Sequence, residues 1–295
     1  MRSSNPVFSR RGFSRDNGYA GFNAQQPQAG GPAVGTNPYA QGAGNPYATN
    51  PYAPADTQLG GPQAPARGNV MTIDDVVART AMTLGTVFVT AALAWFLLPV
   101  DEANLGKSYG IAIGAGLVAF VFAIIQSFKR KASPALILAY AAFEGVFLGV
   151  ISSAVSTYVS AGAVPQAVLG TMSVFAGVLI AYKMRWIRVT RRFYGFVMAA
   201  AMGFVLLMMV NLLFSVFGGG DGLGFRSGGL GILFGVIGII LGACFLALDF
   251  KQVEDGIAYG APREESWLAA FGLTMTLVWI YMEFLRLISI LQGND

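Results

Sequence analysis

From about residue 72 to the end of the chain, long apolar blocks without charge alternate with short polar or basic stretches, and each block is as long as a membrane crossing. Between Arg79 and Asp101 lie twenty-one uncharged residues, close to the ~20 that about 30 Å of hydrocarbon requires. Further blocks run from Tyr109 to Phe128, from about Pro134 to Ser156 with Glu144 inside, and from about Pro165 to Tyr182. The last three run from Phe196 to Phe217, Gly229 to Phe250 and about Trp267 to Leu291. The pattern predicts an all-α membrane protein, a bundle of seven transmembrane helices, because open sheet edges do not survive in lipid. The first helix should start at Thr72-Ile-Asp-Asp75, where a Thr followed three residues later by an acid satisfies free amides and meets the positive dipole end.

Residues 1–70 differ from everything after them. Nine of the thirteen prolines fall there, with Asn-Pro-Tyr-Ala at Asn37, Asn45 and Asn50. Such a composition cannot bury enough apolar surface to order itself, which predicts a disordered tail ahead of a transmembrane domain at 71–295. The repeat spacing is too short for a solenoid. Arg2, Arg10, Arg11 and Arg15 suit the tail to an anionic lipid surface.

Composition narrows the chemistry further. The 295 residues are 55% hydrophobic and only 12% charged, with a mean hydropathy of +0.58, against about 25% charged in soluble domains. No histidine is present, so His-based nucleophile activation and metal ligation are excluded. The one cysteine, Cys244, lies in an apolar run and reads as a small hydrophobe. Of the nineteen basic residues, sixteen fall on the side of the tail and two, Lys107 and Arg226, on the other. By the positive-inside rule the N-terminus is cytoplasmic and Asp295 faces outward, as in a multi-pass plasma-membrane protein.

Glu144, Asp249, Glu283 and Arg286 fall within spans, where a central charge costs on the order of 2.5 to 3.5 kcal/mol. At about 100° per residue, Gly235, Gly238 and Gly242 share a face with Asp249, and Gly231 lies close by. Ala269, Gly272 and Thr276 share a face with Glu283 in the same way. Small-residue stripes let helices approach closely, so the two acid-bearing faces are expected to meet. If they do, the carboxylates titrate as a coupled pair and can sense pH without histidine. Their oxygens also suit transient ligation of Ca²⁺ in transit. The competing reading is structural: Arg286, three residues after Glu283, can neutralise it locally. A depth count also sets Asp249 near the cytoplasmic end of its span and Glu283 nearer the outer end of its own, so contact requires the last helix to begin deeper or to tilt.

Other signals weigh less. Gly218-Gly219-Gly220-Asp221 spells the GxGD string of intramembrane aspartyl proteases, but it falls in a Gly-rich outer loop without a partner acid. The basic loop from Lys183 to Arg192 lies beside a span, so it reads as a topology signal or lipid-headgroup contact and not as a nucleic-acid site.

Leu246-Ala-Leu-Asp-Phe-Lys-Gln-Val253 and Trp279-Ile-Tyr-Met-Glu-Phe-Leu-Arg-Leu-Ile-Ser-Ile-Leu291 resemble the last two helices of the Bax inhibitor-1 family. The opening Met1-Arg-Ser-Ser-Asn-Pro-Val-Phe8 and the stretch from Ser133 to Gly145 resemble its actinobacterial branch. The resemblance implies a seven-helix bundle whose last helix is surrounded by the others, acting as a pH-sensitive Ca²⁺ leak. Its sensor acids correspond to Asp249 and to Glu283, where the family usually has Asp. A basic residue after the second helix takes part in latching in the family, which makes Lys129, Arg130 and Lys131 the candidates here. Glu144 stands where many relatives have a small residue.

The expected function is therefore a Ca²⁺ leak channel without a cofactor, monomeric in the lipid bilayer, gated by the Asp249/Glu283 pair, with Ca²⁺ as permeant ion. The alternative is a membrane-embedded regulator whose acids are structural and whose tail or basic loops engage other membrane proteins. An ion-coupled transporter ranks lower for want of a repeat between halves. Enzymatic activity is not expected, since no nucleophile or metal constellation is present.

Overall fold

A computed structural model describes residues 70–129, 131–218, 223–225 and 227–293. The expectations for the tail up to residue 69, for Arg130, for Gly219 to Asp221, for Arg226 and for Asp295 fall outside the described residues. Among the described residues there are seven long helices, no strand, and one isolated bridge between Val70 and Pro262. The helices are α1 (Ile73–Leu97), α2 (Leu105–Phe128), α3 (Pro134–Tyr158), α4 (Ala163–Lys183), α5 (Arg191–Gly218), α6 (Gly228–Ala258) and α7 (Ser266–Gln292). All seven are long and apolar enough to cross a membrane. Each predicted span lies on its own helix.

The ends form where the local chemistry calls for them. The Thr72 hydroxyl accepts from the Asp75 amide at 3.2 Å, capping α1. Pro134 opens α3, where its missing N–H costs nothing. Between α2 and α3, Gln126 accepts from the Ser133 amide at 3.1 Å and donates to the Lys131 carbonyl at 3.4 Å, so a buried amide closes the turn.

α7 is the inner helix. It packs against α1, α3, α4 and α6, whereas α2 rests on α3, and α5 rests on α6. Of its membrane-length stretch 56% is buried, against 17% in α1. This asymmetry matters because lipid tails are as apolar as leucine: helices associate through close packing and hydrogen bonds, not by escaping water. Small residues provide the close packing. On α2, Ser108, Ala112, Ala115, Ala119 and Ala123 form a buried stripe at helical spacing toward α3. On α3, Gly145 and Gly149 meet the backbone of α1: a Cβ at Gly145 would fall on the Val87 carbonyl, and one at Gly149 on the Ala91 carbonyl.

Gly145→Ala and Gly149→Ala should each lower stability by about 1–3 kcal/mol, because the added methyl forces two backbones apart. Gly177→Ala, with nothing within 4 Å of its added carbon, should be neutral or stabilising by up to about 1 kcal/mol. Thermal unfolding of the three variants in one detergent checks both signs.

Candidate functional site

The α6–α7 seam is built on the glycine stripe of α6. Carbon added at Gly242 would sit 2.5 Å from the Ile280 side chain, at Gly238 2.8 Å from the Glu283 carboxyl carbon, and at Gly235 3.3 Å from Leu287. Those glycines make room for α7 and its charged side chains. The Trp279 indole N–H donates to the Gly238 carbonyl at 3.2 Å, fixing the register of the seam.

Asp249 sits further along the same stripe, where Thr276 donates to its Oδ2 at 2.6 Å and Gly272 leaves space for its Oδ1. Glu283 lies opposite Gly238 and forms an ion pair with Arg286 one turn on. The Arg286 guanidinium reaches the Gly231 carbonyl at 3.4 Å, and both side chains of the pair are only 12% exposed. The Arg286 Nε is buried without a hydrogen-bond partner among the described residues.

The seam therefore corrects one expectation. The acid-bearing faces do meet, but the two carboxylates are not neighbours. Asp249 and Gly238, the residue Glu283 faces, are eleven positions apart on α6, about 16 Å along the axis. Helical periodicity aligns each acid with the stripe of its own helix, yet in an antiparallel pair Asp249 near the end of α6 meets the early part of α7. Glu283 meets the middle of α6.

The accessory residues divide in the same way. Arg286 is at the site. Glu144 is half-buried on α3 and has no hydrogen-bond or ion-pair partner among the described residues. Lys129 and Lys131 are exposed in the α2–α3 turn, and the structure does not bring them to either acid. Among the described residues no three carboxylate or thiol groups gather to hold a metal ion.

Other polar contacts hold α7 in place and went unread in the sequence. Thr83 of α1 and Thr274 share a buried hydrogen bond of 2.7 Å, and Ser152 of α3 and Tyr281 share one of 2.6 Å. At the start of α7, Arg79 donates to the Arg263 carbonyl and the Ser266 hydroxyl and lies 5.3 Å over the Trp267 ring. Asp75 binds Arg263 at 2.8 Å. The available signal was hydroxyl residues recurring inside otherwise apolar spans, which in lipid call for partners on another helix.

With a glycine-lined α6 against an enclosed α7, comparison with known families is decisive: the match to the family described as Bax inhibitor 1 like runs over residues 5–293. The chain belongs to that family. Family membership and seven membrane-length helices make it a multi-pass membrane protein. Among curated proteins no relative matches it.

Arg286→Gln would leave Glu283 buried without its cation and should cost about 3–5 kcal/mol, and adding Glu283→Gln should restore most of that loss. Chemical denaturation in micelles measures both. A neutral single variant would mean that the pair does not support the fold.

Proposed function

We propose that the protein is a pH-sensitive calcium leak of the Bax inhibitor-1 type, in which protonation of Asp249 and Glu283 loosens the inner helix. The observation that carries this reading is that α7, enclosed by four helices, is held to α6 by the Asp249 carboxylate on Thr276 and by Arg286, paired with Glu283 on α7, on the Gly231 carbonyl. An ionised Asp249 is a strong acceptor for Thr276, and a protonated one is weaker. Protonating Glu283 removes the charge that holds Arg286, whose Nε already has no partner among the described residues. Acidification thus weakens one bond across the seam, Thr276 to Asp249, and separately the α7 ion pair that orients Arg286 toward the Gly231 carbonyl, without a shared proton. In this reading Arg286 takes the latching role, and Lys129 to Lys131 act only as interfacial charge.

Ca²⁺ is the favoured permeant ion because the carboxylates along the seam offer oxygen ligands, and carboxylates spaced apart from one another bind too weakly to trap it. Glu144 adds a further acid from α3. The tail side lies in the cytoplasm of a plasma-membrane protein, following the sixteen-to-two bias of basic residues.

The second reading, a regulator with structural acids, is favoured by one fact: both seam carboxylates have partners. Proteoliposomes loaded with a Ca²⁺ dye separate the two. Flux should rise as the pH falls. The Asp249→Asn, Glu283→Gln double variant should lose that pH dependence and leak at a fixed rate. Flux that is absent, or equally pH-dependent in the double variant, would remove the channel reading. Deleting residues 1–70 should leave flux intact, whereas a regulator working through its tail would lose its partner.

A further inference from the structure

Where α1 begins and α4 and α6 end, a groove of about 820 Å³ opens at the edge of the bundle. Leu179, Ile187, Phe250 and Ile257 make an apolar wall, and Lys183, Arg185, Arg188 and Lys251 make a basic rim. The acids nearby are already engaged. Glu254 accepts from the Tyr182 hydroxyl and lies 3.9 Å from Lys251, and Asp255 binds Lys251 at 2.6 Å. Lys183, Arg185 and Arg188 have no ion-pair partner among the described residues.

The backbone adds an independent observation. α4 ends in a Schellman motif: the Trp186 amide donates to the Ala181 carbonyl and the Arg185 amide to the Tyr182 carbonyl, both at 2.9 Å. The residue following the cap of such a motif takes the left-handed conformation and is usually glycine. Here it is Arg185, with φ +60, the one positive-φ residue other than glycine among the described residues. A side chain is strained in that conformation, and strain of this kind concentrates at ligand clamps. Beside it Trp186 is 72% exposed, placed as tryptophans are at a membrane–water interface.

We propose that this groove binds the headgroup of an anionic phospholipid, with the guanidinium groups of Arg185 and Arg188 on its phosphate and its acyl chains along the Leu179–Phe250 wall. Guanidinium groups match phosphate oxygens in pairs, and basic pockets between transmembrane helices recognise acidic lipid heads. The wall selects a lipid over free phosphate, since it continues from the rim onto the membrane-spanning parts of α4 and α6. The three unpaired cations select an anionic lipid over a zwitterionic one. The site is separate from the α6–α7 seam and does not depend on the channel reading.

Native mass spectrometry of the full chain in detergent, titrated with phosphatidylglycerol or phosphatidylcholine, tests the proposal. Phosphatidylglycerol should be retained preferentially, and each cation removed should weaken it about fivefold, so that Arg185→Gln with Arg188→Gln weakens it about 25-fold. Arg185→Gly supplies a control for folding: relieved of strain, it should melt at a higher temperature in lipid-free detergent while binding phosphatidylglycerol less well. Equal retention of the two lipids, unchanged binding in the double variant, or displacement of the lipid by millimolar inorganic phosphate would each overturn the assignment. So would a lower melting temperature for Arg185→Gly, because the arginine would then be held there by contacts within the protein.

Discussion

The architecture depends on how closely α7 can approach α6. In hydrocarbon there is no expulsion of water to press helices together, so the association rests on dispersion at short range and on polar groups that find partners. Gly235, Gly238 and Gly242 permit that approach, because any side chain there would meet Leu287, Glu283 or Ile280. The hollow they leave also admits the Glu283–Arg286 pair and places it against the Gly231 carbonyl. The same glycines that allow dense packing thus house the charges, and the two properties cannot be altered independently.

The remaining contacts of α7 follow the same economy. Thr83 with Thr274, Ser152 with Tyr281 and Thr276 with Asp249 each join α7 to a different helix through one short hydrogen bond. In lipid the alternative to each is an unsatisfied hydroxyl or carboxylate, which makes these contacts specific about depth and rotation as well as favourable. α5 is the contrast. It buries Val197, Ala201, Phe204 and Asn211 and turns most of its large apolar side chains outward, as suits a helix facing lipid along most of its circumference.

The seven spans were legible because membrane thickness fixes the length of an uncharged run, and the cap at Thr72 was legible because its chemistry is local. The glycine stripe with Asp249 was legible because helical periodicity alone places residues on a face. What periodicity cannot give is the axial offset between two helices, and the separation of Asp249 from Glu283 is such an offset. It depends on where α7 begins relative to the end of α6, hence on the short connection through Arg263–Glu265. The hydroxyl pairs were hidden for a related reason: Thr83 and Thr274 are 191 residues apart, and a single sequence does not say which spans touch. The resemblance supplied the enclosure of the last helix, which composition could not.

The first described residues lie along the connection between α6 and α7. The Met71 amide donates to the Ala261 carbonyl at 2.8 Å, Val70 bridges Pro262, and Asp75 and Arg79 bind Arg263 and Ser266 just beyond. The connection that sets the height of the central helix is thereby laced to the start of α1. A shift of α1 therefore arrives first at this corner and has leverage on the height of α7 without touching the hydrocarbon-embedded charges.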